Sequence, residues 1–154
     1  MSNGLDSKDV RVIVLKTHPS EKSILIDVAV NGKEIEAVVD TAAEVTVVSK
    51  KFAESLHPNL SLGKEFILKG AAKGQNFQSQ LARVDITIGS VKVPWNIYIA
   101  PINDAVILGL DLLRHLRAEV NLHLNTVTVN NRIISSRSAR DGEQQEAYRV
   151  PAYL

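Results

Sequence analysis

The sequence contains no cysteine, which excludes disulfide bonds and thiolate metal sites. It also lacks an excess of either charge. Its 18 basic and 17 acidic residues leave a net charge of +1, so we expect neither nucleic acid nor a membrane as a partner. No apolar run reaches the roughly 18 residues of a membrane-spanning helix, and the polar start Met1–Gly4 is unlike a signal peptide. We therefore expect a cytoplasmic protein, or a piece released from a longer one.

Clustered metal ligands are lacking as well. The four histidines are scattered along the chain, with no partner at the spacing of metal ligands, and no Ser/His/Asp arrangement or phosphate-binding glycine loop stands out. We expect no metal and no cofactor. The histidines are His18, His57, His115 and His123.

What the sequence does contain is a series of short strand-forming segments. Hydrophobic residues make up 45% of the 154, enough for one domain with its own core. Turn signals separate these segments, with Asn31-Gly32 a strong one, and Leu110–Leu116 is the clear helix. This pattern predicts a mostly β barrel with one short C-terminal helix. We expect a flexible leader at 1–9, the domain at 10–134 and a polar, loosely ordered tail at 135–154.

The most informative segment is Ala37–Ser49, in which a single carboxylate, Asp40, leaves an apolar strand and enters a turn of small residues. A lone carboxylate is costly to bury, so this setting favours a chemical role over that of an ordinary turn residue. Small residues would let two such loops approach until their carboxylates share one proton. The segment is not duplicated in the chain. If the chemistry needs two aspartates, the second must come from a second copy.

Ala37–Ser49 resembles the Asp-Thr/Ser-Gly-Ala signature of retropepsins, the aspartic proteases of retroviruses and LTR retrotransposons. Val106–Leu113 is similar to the second motif of that family, an apolar pair and a glycine followed by a short helix. Phe66–Gly74, between the two, is similar to the flap of the family. Together these motifs cover Ser23–Ile134. The resemblance implies a closed retropepsin-type barrel, a flap hairpin over the cleft, and a homodimer.

The resemblance also implies roles for the first motif. Asp40 would be the catalytic aspartate, and Thr41, Ala42 and Ala43 would complete the active-site loop. Thr41 would bond to the partner's backbone and lock the two loops together, although it is also a residue type common in turns. Ala42 departs from the family, which usually has glycine there, and its methyl group would narrow the cleft or slow turnover.

Substrate contacts are implied for five residues: Glu44, Gly70, Ala71, Ala72 and Ile107. Glu44 would contact the substrate backbone, or would be a solvated surface acid. The glycine and alanines of the flap would bond to the peptide, unless this segment is a plain hairpin tip. Ile107 would line the substrate pocket, or would belong to the core.

Gly109 would lie in the turn behind the catalytic pair. Viral members carry an arginine directly after this glycine, which pairs with the acid that corresponds to Glu44. Here that position is Leu110, so Arg114 is the candidate replacement.

The resulting hypothesis is a homodimeric aspartic endopeptidase that cleaves extended polypeptides. Its substrate would be a retroelement Gag-Pol-type polyprotein, in the cytoplasm or within retroelement particles. The alternative is a catalytically weak or inactive dimer of the same fold that holds peptides as a scaffold.

Overall fold

The computed structural model describes residues 9–12, 23–58, 60–70 and 75–138 of the 154-residue chain. Short strands dominate these ranges, and the helices among them have five and six residues. The strands are β1 (Asp9–Val12), β2 (Ile24–Val30), β3 (Lys33–Val39), β4 (Val47–Ser49), β5 (Ser61–Lys69), β6 (Asn76–Ile88), β7 (Val91–Ala100), β8 (Val106–Leu108), β9 (Glu119–Asn121), β10 (Thr126–Val129), β11 (Arg132–Ile134) and β12 (Ser136–Ser138), and the helices are α1 (Lys50–Glu54) and α2 (Leu110–His115).

Six of the strands close into a barrel. β6, β7, β4, β8, β3 and β2 are paired in that order, and a further pairing of β2 with β6 closes the ring. β8 pairs in parallel with β3 and antiparallel with β4, so it lies between the strand that enters the Asp40 loop and the strand that leaves it. The closed, mostly β barrel expected from the sequence is confirmed.

The β2–β3 hairpin directs the chain toward Asp40. Asn31 and Gly32 have φ angles of 52° and 82°, the pair of positive values that a type I′ turn requires. The two strands then pair without a bulge from Val30↔Lys33 to Ile24↔Val39. The turn fixes this register, and with it the last three residues of β3, Ala37–Val39, are buried directly before Asp40.

Buried apolar side chains form two large clusters. The larger cluster occupies the barrel and includes Ile26, Val30, Ile86 and Leu108, each no more than 1% exposed. Burying one such side chain stabilises the fold by about 1.5–3 kcal/mol. A second cluster lies against the β5–β6 hairpin and consists of Ala43, Val45, Val47, Phe66, Leu68, Tyr98, Ala100 and Ile107.

Some strand boundaries differ from those that the sequence predicts. The sequence predicts a strand at Val45–Val48 directly after the Asp40 loop, but β4 starts at Val47, because the backbone before it belongs to the loop. The sequence also predicts a strand at Glu119–Leu124, but β9 ends at Asn121, because residues 122–125 form a turn with Asn125 at a φ of 56°. The first predicted strand, Val10–Leu15, is described as far as Val12, and residues 13–15 lie outside the described residues.

Part of the expected loose tail is ordered. Ser136–Ser138 form β12, which pairs antiparallel with β2, so the main sheet extends past residue 134. Arg137 of this strand donates hydrogen bonds of 2.7 Å to Asp27 and 2.6 Å to Glu36. These bonds, to Asp27 first and then to Glu36, raise the pKa of Arg137 above its ordinary value. The rest of the tail, 139–154, lies outside the described residues, as do residues 1–8 of the leader.

Candidate active site

Asp40 stands at the point where β3 ends beside β8. Its backbone N–H donates to Leu108 O at 3.0 Å, which extends the β3–β8 pairing by one residue. Its side-chain Oδ1 accepts from Ala42 N at 2.9 Å, and its carbonyl oxygen accepts from Ala43 N at 3.1 Å. The residue is only 1% exposed. The local backbone therefore fixes both the position and the direction of a buried carboxylate.

The loop that follows Asp40 is packed against Gly109, the residue between β8 and α2. A Cβ atom at Gly109 would lie 2.3 Å from Val45 O and 3.0 Å from Ala43 O, so only glycine fits without movement of the loop. The next residue, Leu110, donates its N–H to Ala43 O at 2.8 Å. The second sequence motif thus lies directly behind the first, as expected for Gly109.

Thr46, Asp111 and Trp95 form a polar network on the same side of the loop. Thr46 Oγ1 donates to Asp111 Oδ1 at 2.7 Å, and Trp95 Nε1 donates to Asp111 Oδ2 at 3.1 Å. Sequence reasoning missed all three residues. The one available signal was Asp111, an aspartate in the first turn of the helix with which the second motif ends.

The other residues of the loop differ in exposure. Thr41 is exposed in the single chain, Ala42 is half-buried and Ala43 is fully buried. Ala42 lies outside the left-handed region of backbone space, so its conformation does not require the glycine usual in the family. The departure from the family motif is therefore compatible with the loop geometry.

Glu44 is exposed at the outer end of the loop. Its backbone oxygen accepts from Asp111 N at 3.2 Å, which adds another link between the loop and α2. Arg114 is exposed too, and among the described residues no ion pair joins it to Glu44. The structure therefore does not bring the candidate replacement pair together.

Ile107 and the flap mark the expected substrate side. Ile107 is 2% exposed and packs in the second apolar cluster with residues of β5 and β7. Gly70 directly follows β5, the first strand of the flap hairpin, and its N–H donates to Gln75 O at 2.9 Å. The tip between them, 71–74, lies outside the described residues, and with it the expected contacts Ala71 and Ala72.

Two negative findings concern the described residues. No helix there is both long and apolar enough to cross a membrane. The same residues hold no group of three or more His, Asp or Glu side chains placed to bind a metal ion.

Sequence comparison places this site among known proteins. Residues 26–115 match the model of the family described as gag-polyprotein putative aspartyl protease. The chain is 32% identical over 110 residues to DNA damage-inducible protein 1 of Yarrowia lipolytica, which covers 69% of this chain and 27% of that protein. It is 29% identical over 115 residues to the UBA domain-containing protein Mud1 of Schizosaccharomyces pombe, covering 72% and 34%. The chain thus spans about a quarter to a third of the length of these curated relatives.

Two solved structures share the fold. The retroviral protease-like domain of Ddi1 from Leishmania major aligns with a TM-score of 0.60 and 18% identity, over 78% of this chain and 98% of that one. EIAV protease complexed with the inhibitor HBY-793 aligns with a TM-score of 0.54 and 23% identity, over 69% and 99%. At such identities the likeness establishes the barrel fold alone.

Proposed function

Because the chain belongs to the gag-polyprotein putative aspartyl protease family, whose model matches it over residues 26–115, we propose that it is a homodimeric aspartic endopeptidase. The observation that carries the proposal is Asp40, a carboxylate 1% exposed on a loop that backbone hydrogen bonds hold in place. A second carboxylate at the same point would share one proton with Asp40, so the buried pair would carry one negative charge rather than two.

The second carboxylate is the Asp40 of a second copy. Two carboxylates about 3 Å apart do not ionise together readily, so they share one proton. The ionised one takes a proton from a water whose oxygen attacks the scissile carbonyl carbon, and the protonated one donates to the carbonyl oxygen. Collapse of this tetrahedral intermediate breaks the C–N bond: the protonated carboxyl gives its proton to the leaving amine, and one hydroxyl of the intermediate gives its proton to the ionised carboxylate, so the pair again holds one proton. Asp40 thus serves as base in one copy and acid in the other.

The exposure of Thr41 supports the dimer. Thr41 directly follows Asp40 and is exposed in the single chain, so its hydroxyl is available to a second copy. A two-fold axis between the two Asp40 residues places each Thr41 beside the partner's loop. Sedimentation at decreasing protein concentration tests this arrangement, with cleavage activity expected to disappear as the dimer dissociates. A fully active monomer would overturn it.

An extended polypeptide is the proposed substrate. It would bind as an added strand between the flap hairpin and the floor of the cleft, with alternate side chains in pockets. Ile107 itself is buried, and the half-buried side chains packed against its apolar cluster, Phe77, Leu81 and Ile102, would give these pockets an apolar wall. Processing of a retroelement Gag-Pol-type polyprotein is the finer proposal, and it is supported by the match to a family of gag-polyprotein putative aspartyl proteases.

The decisive experiment compares cleavage of an unbiased peptide library at pH 4 to 7 by the wild-type protein and by Asp40→Asn. The amide keeps the shape of the side chain but cannot share the proton, so we expect cleavage by the wild type alone. Asp85→Asn is the matched control, because Asp85 is half-exposed on β6 and, within the described part of the chain, its carboxylate forms one ion pair, with Lys92 at 4.0 Å. A wild-type protein that binds peptides without cutting them at any pH would instead establish the scaffold alternative.

A further inference from the structure

The carboxylate of Asp111 joins three separate elements of the fold. Oδ1 accepts from Thr46 Oγ1 and from Leu112 N, both at 2.7 Å, and Oδ2 accepts from Trp95 Nε1 at 3.1 Å. Thr46 Oγ1 in turn accepts from Gly109 N at 3.0 Å. Helix α2, strand β7 and the segment that leaves the Asp40 loop are therefore tied to one side chain.

The direction of each hydrogen bond is fixed by chemistry. A carboxylate has no proton to donate, and an indole N–H can only donate, so Thr46 Oγ1 and Trp95 Nε1 both donate to Asp111. A carboxylate can accept from both at once, whereas an amide can accept on only one of its two atoms. Capping of the helix by the bond to Leu112 N alone would not require this arrangement.

The network also lies next to the backbone that holds Asp40, whose carboxylate is the group proposed to react. Thr46 is fully buried three residues beyond Ala43, the end of the small-residue turn. Gly109 follows Leu108, whose carbonyl oxygen accepts from Asp40 N. The indole of Trp95 is covered by the His115 ring, with centroids 4.8 Å apart, so the donor is held in place. Movement of Asp111 would therefore displace two segments near Asp40: the one that contains Thr46, after the Asp40 loop, and the one that contains Leu108 and Gly109, beside it.

We propose that Thr46, Asp111 and Trp95 are positioning residues that hold the Asp40 loop in the geometry needed for cleavage. This inference rests on the proposed protease function. None of the three side chains is proposed to touch the substrate. Their loss should therefore lower kcat and leave KM nearly unchanged.

The kinetic test uses Thr46→Val and Asp111→Asn, with Thr87→Val and Asp85→Asn as controls on β6. Both network variants should lose about tenfold or more in kcat, with KM within about twofold, because displacement of a catalytic group by a fraction of an ångström is costly. The controls should match the wild type. Thr46→Ser keeps the hydroxyl and should also keep kcat. Network variants whose kcat equals that of the controls would overturn the proposal.

A double variant tests the role of the indole. In Asp111→Asn the amide oxygen can still serve Thr46, which leaves the amide nitrogen facing Trp95 Nε1, donor against donor. Trp95→Phe removes the second donor. Asp111→Asn combined with Trp95→Phe should therefore have a higher kcat than Asp111→Asn alone. A double variant that is no better than the single one would exclude Trp95 from the network.

One readout does not depend on cleavage. The amide hydrogen of Gly109 should exchange with solvent at least about tenfold faster in Thr46→Val than in Thr87→Val, because its acceptor is lost. A wild-type protein that cleaves nothing would refute the proposed function, and Gly109 exchange would still decide whether the network holds the loop. Equal exchange in the two threonine variants would refute the network.

Discussion

Replacement of Gly109 by alanine should disturb the active site without disturbing the backbone conformation of residue 109 itself. Gly109 has φ and ψ of −97° and −177°, an extended conformation that alanine adopts freely. The obstacle is space, because the new Cβ atom would lie 2.3 Å from Val45 O and 2.5 Å from Val45 C. Both are backbone atoms of the segment that follows Asp40, so no side-chain rotation can relieve the contact.

The size of the effect follows from these distances. Real Cβ contacts essentially never fall below 3.0 Å, so the two segments must separate by about 0.7 Å, a form of overpacking that costs about 1–3 kcal/mol. For a chain of this length, 2 kcal/mol corresponds to a decrease in Tm of about 4–8 °C. The displaced segment directly follows Asp40 in the same loop, and we expect kcat to fall by about 10- to 100-fold as well.

Thermal unfolding and peptide cleavage measure the two effects on the same preparation of Gly109→Ala. Gly63→Ala is the matched control, because its Cβ atom would lie 3.4 Å from Leu81 O, an ordinary contact. We expect the control to unfold and cleave like the wild type. If Gly109→Ala also did so, the packing of the second motif against the Asp40 loop would be wrong as described.

Three further predictions concern other parts of the molecule. Ala42→Gly should preserve or raise the cleavage rate, and Ala42→Val should lower it, because a branched Cβ collides with the substrate or the partner loop. Unimpaired cleavage by the valine variant would contradict the placement of this turn. The rate of cleavage should follow a bell-shaped pH profile with an acidic to near-neutral optimum. At low pH both copies of Asp40 are protonated and no base remains, and at high pH both are ionised and no acid remains. A rate that climbs steadily into alkaline pH would point to other chemistry. Arg137→Lys should lower the free energy of unfolding by less than about 1 kcal/mol, because its ion pairs with Asp27 and Glu36 are exposed. Urea denaturation measures this difference, and 1 M salt should reduce it further by screening the charges.

Features that depend on neighbouring residues could be predicted from the sequence. The Asn31-Gly32 turn fixed the β2–β3 register, because two adjacent residues that tolerate positive φ leave few other hairpin geometries. The apolar end of β3 followed by small residues likewise indicated a carboxylate held at a strand end. The strand pattern predicted a mostly β barrel, and the resemblance of the ordered motifs to the retropepsin family implied that the barrel is closed.

Bonds between distant segments could not be predicted in this way. Thr46 and Asp111 are 65 residues apart, and Trp95 and Asp111 are 16 apart. In the sequence, Thr46 is one more β-branched residue of a strand, and Asp111 is an ordinary acid in the first turn of a helix. The pairing of β12 with β2 was missed for the same reason, since the tail has the composition of a solvated segment until the sheet edge provides it with partners.

The sequence by itself determined where a carboxylate leaves a buried strand, since hydrophobic alternation and turn chemistry act over a few residues. Only the tertiary structure decided what holds that carboxylate, because the supporting atoms come from β7, β8 and α2 and meet when the barrel closes. Gly109 is an example. The sequence indicates that a glycine belongs to the second motif, but only the structure shows why glycine is needed, because a Cβ atom there would lie 2.3 Å from the backbone oxygen of Val45.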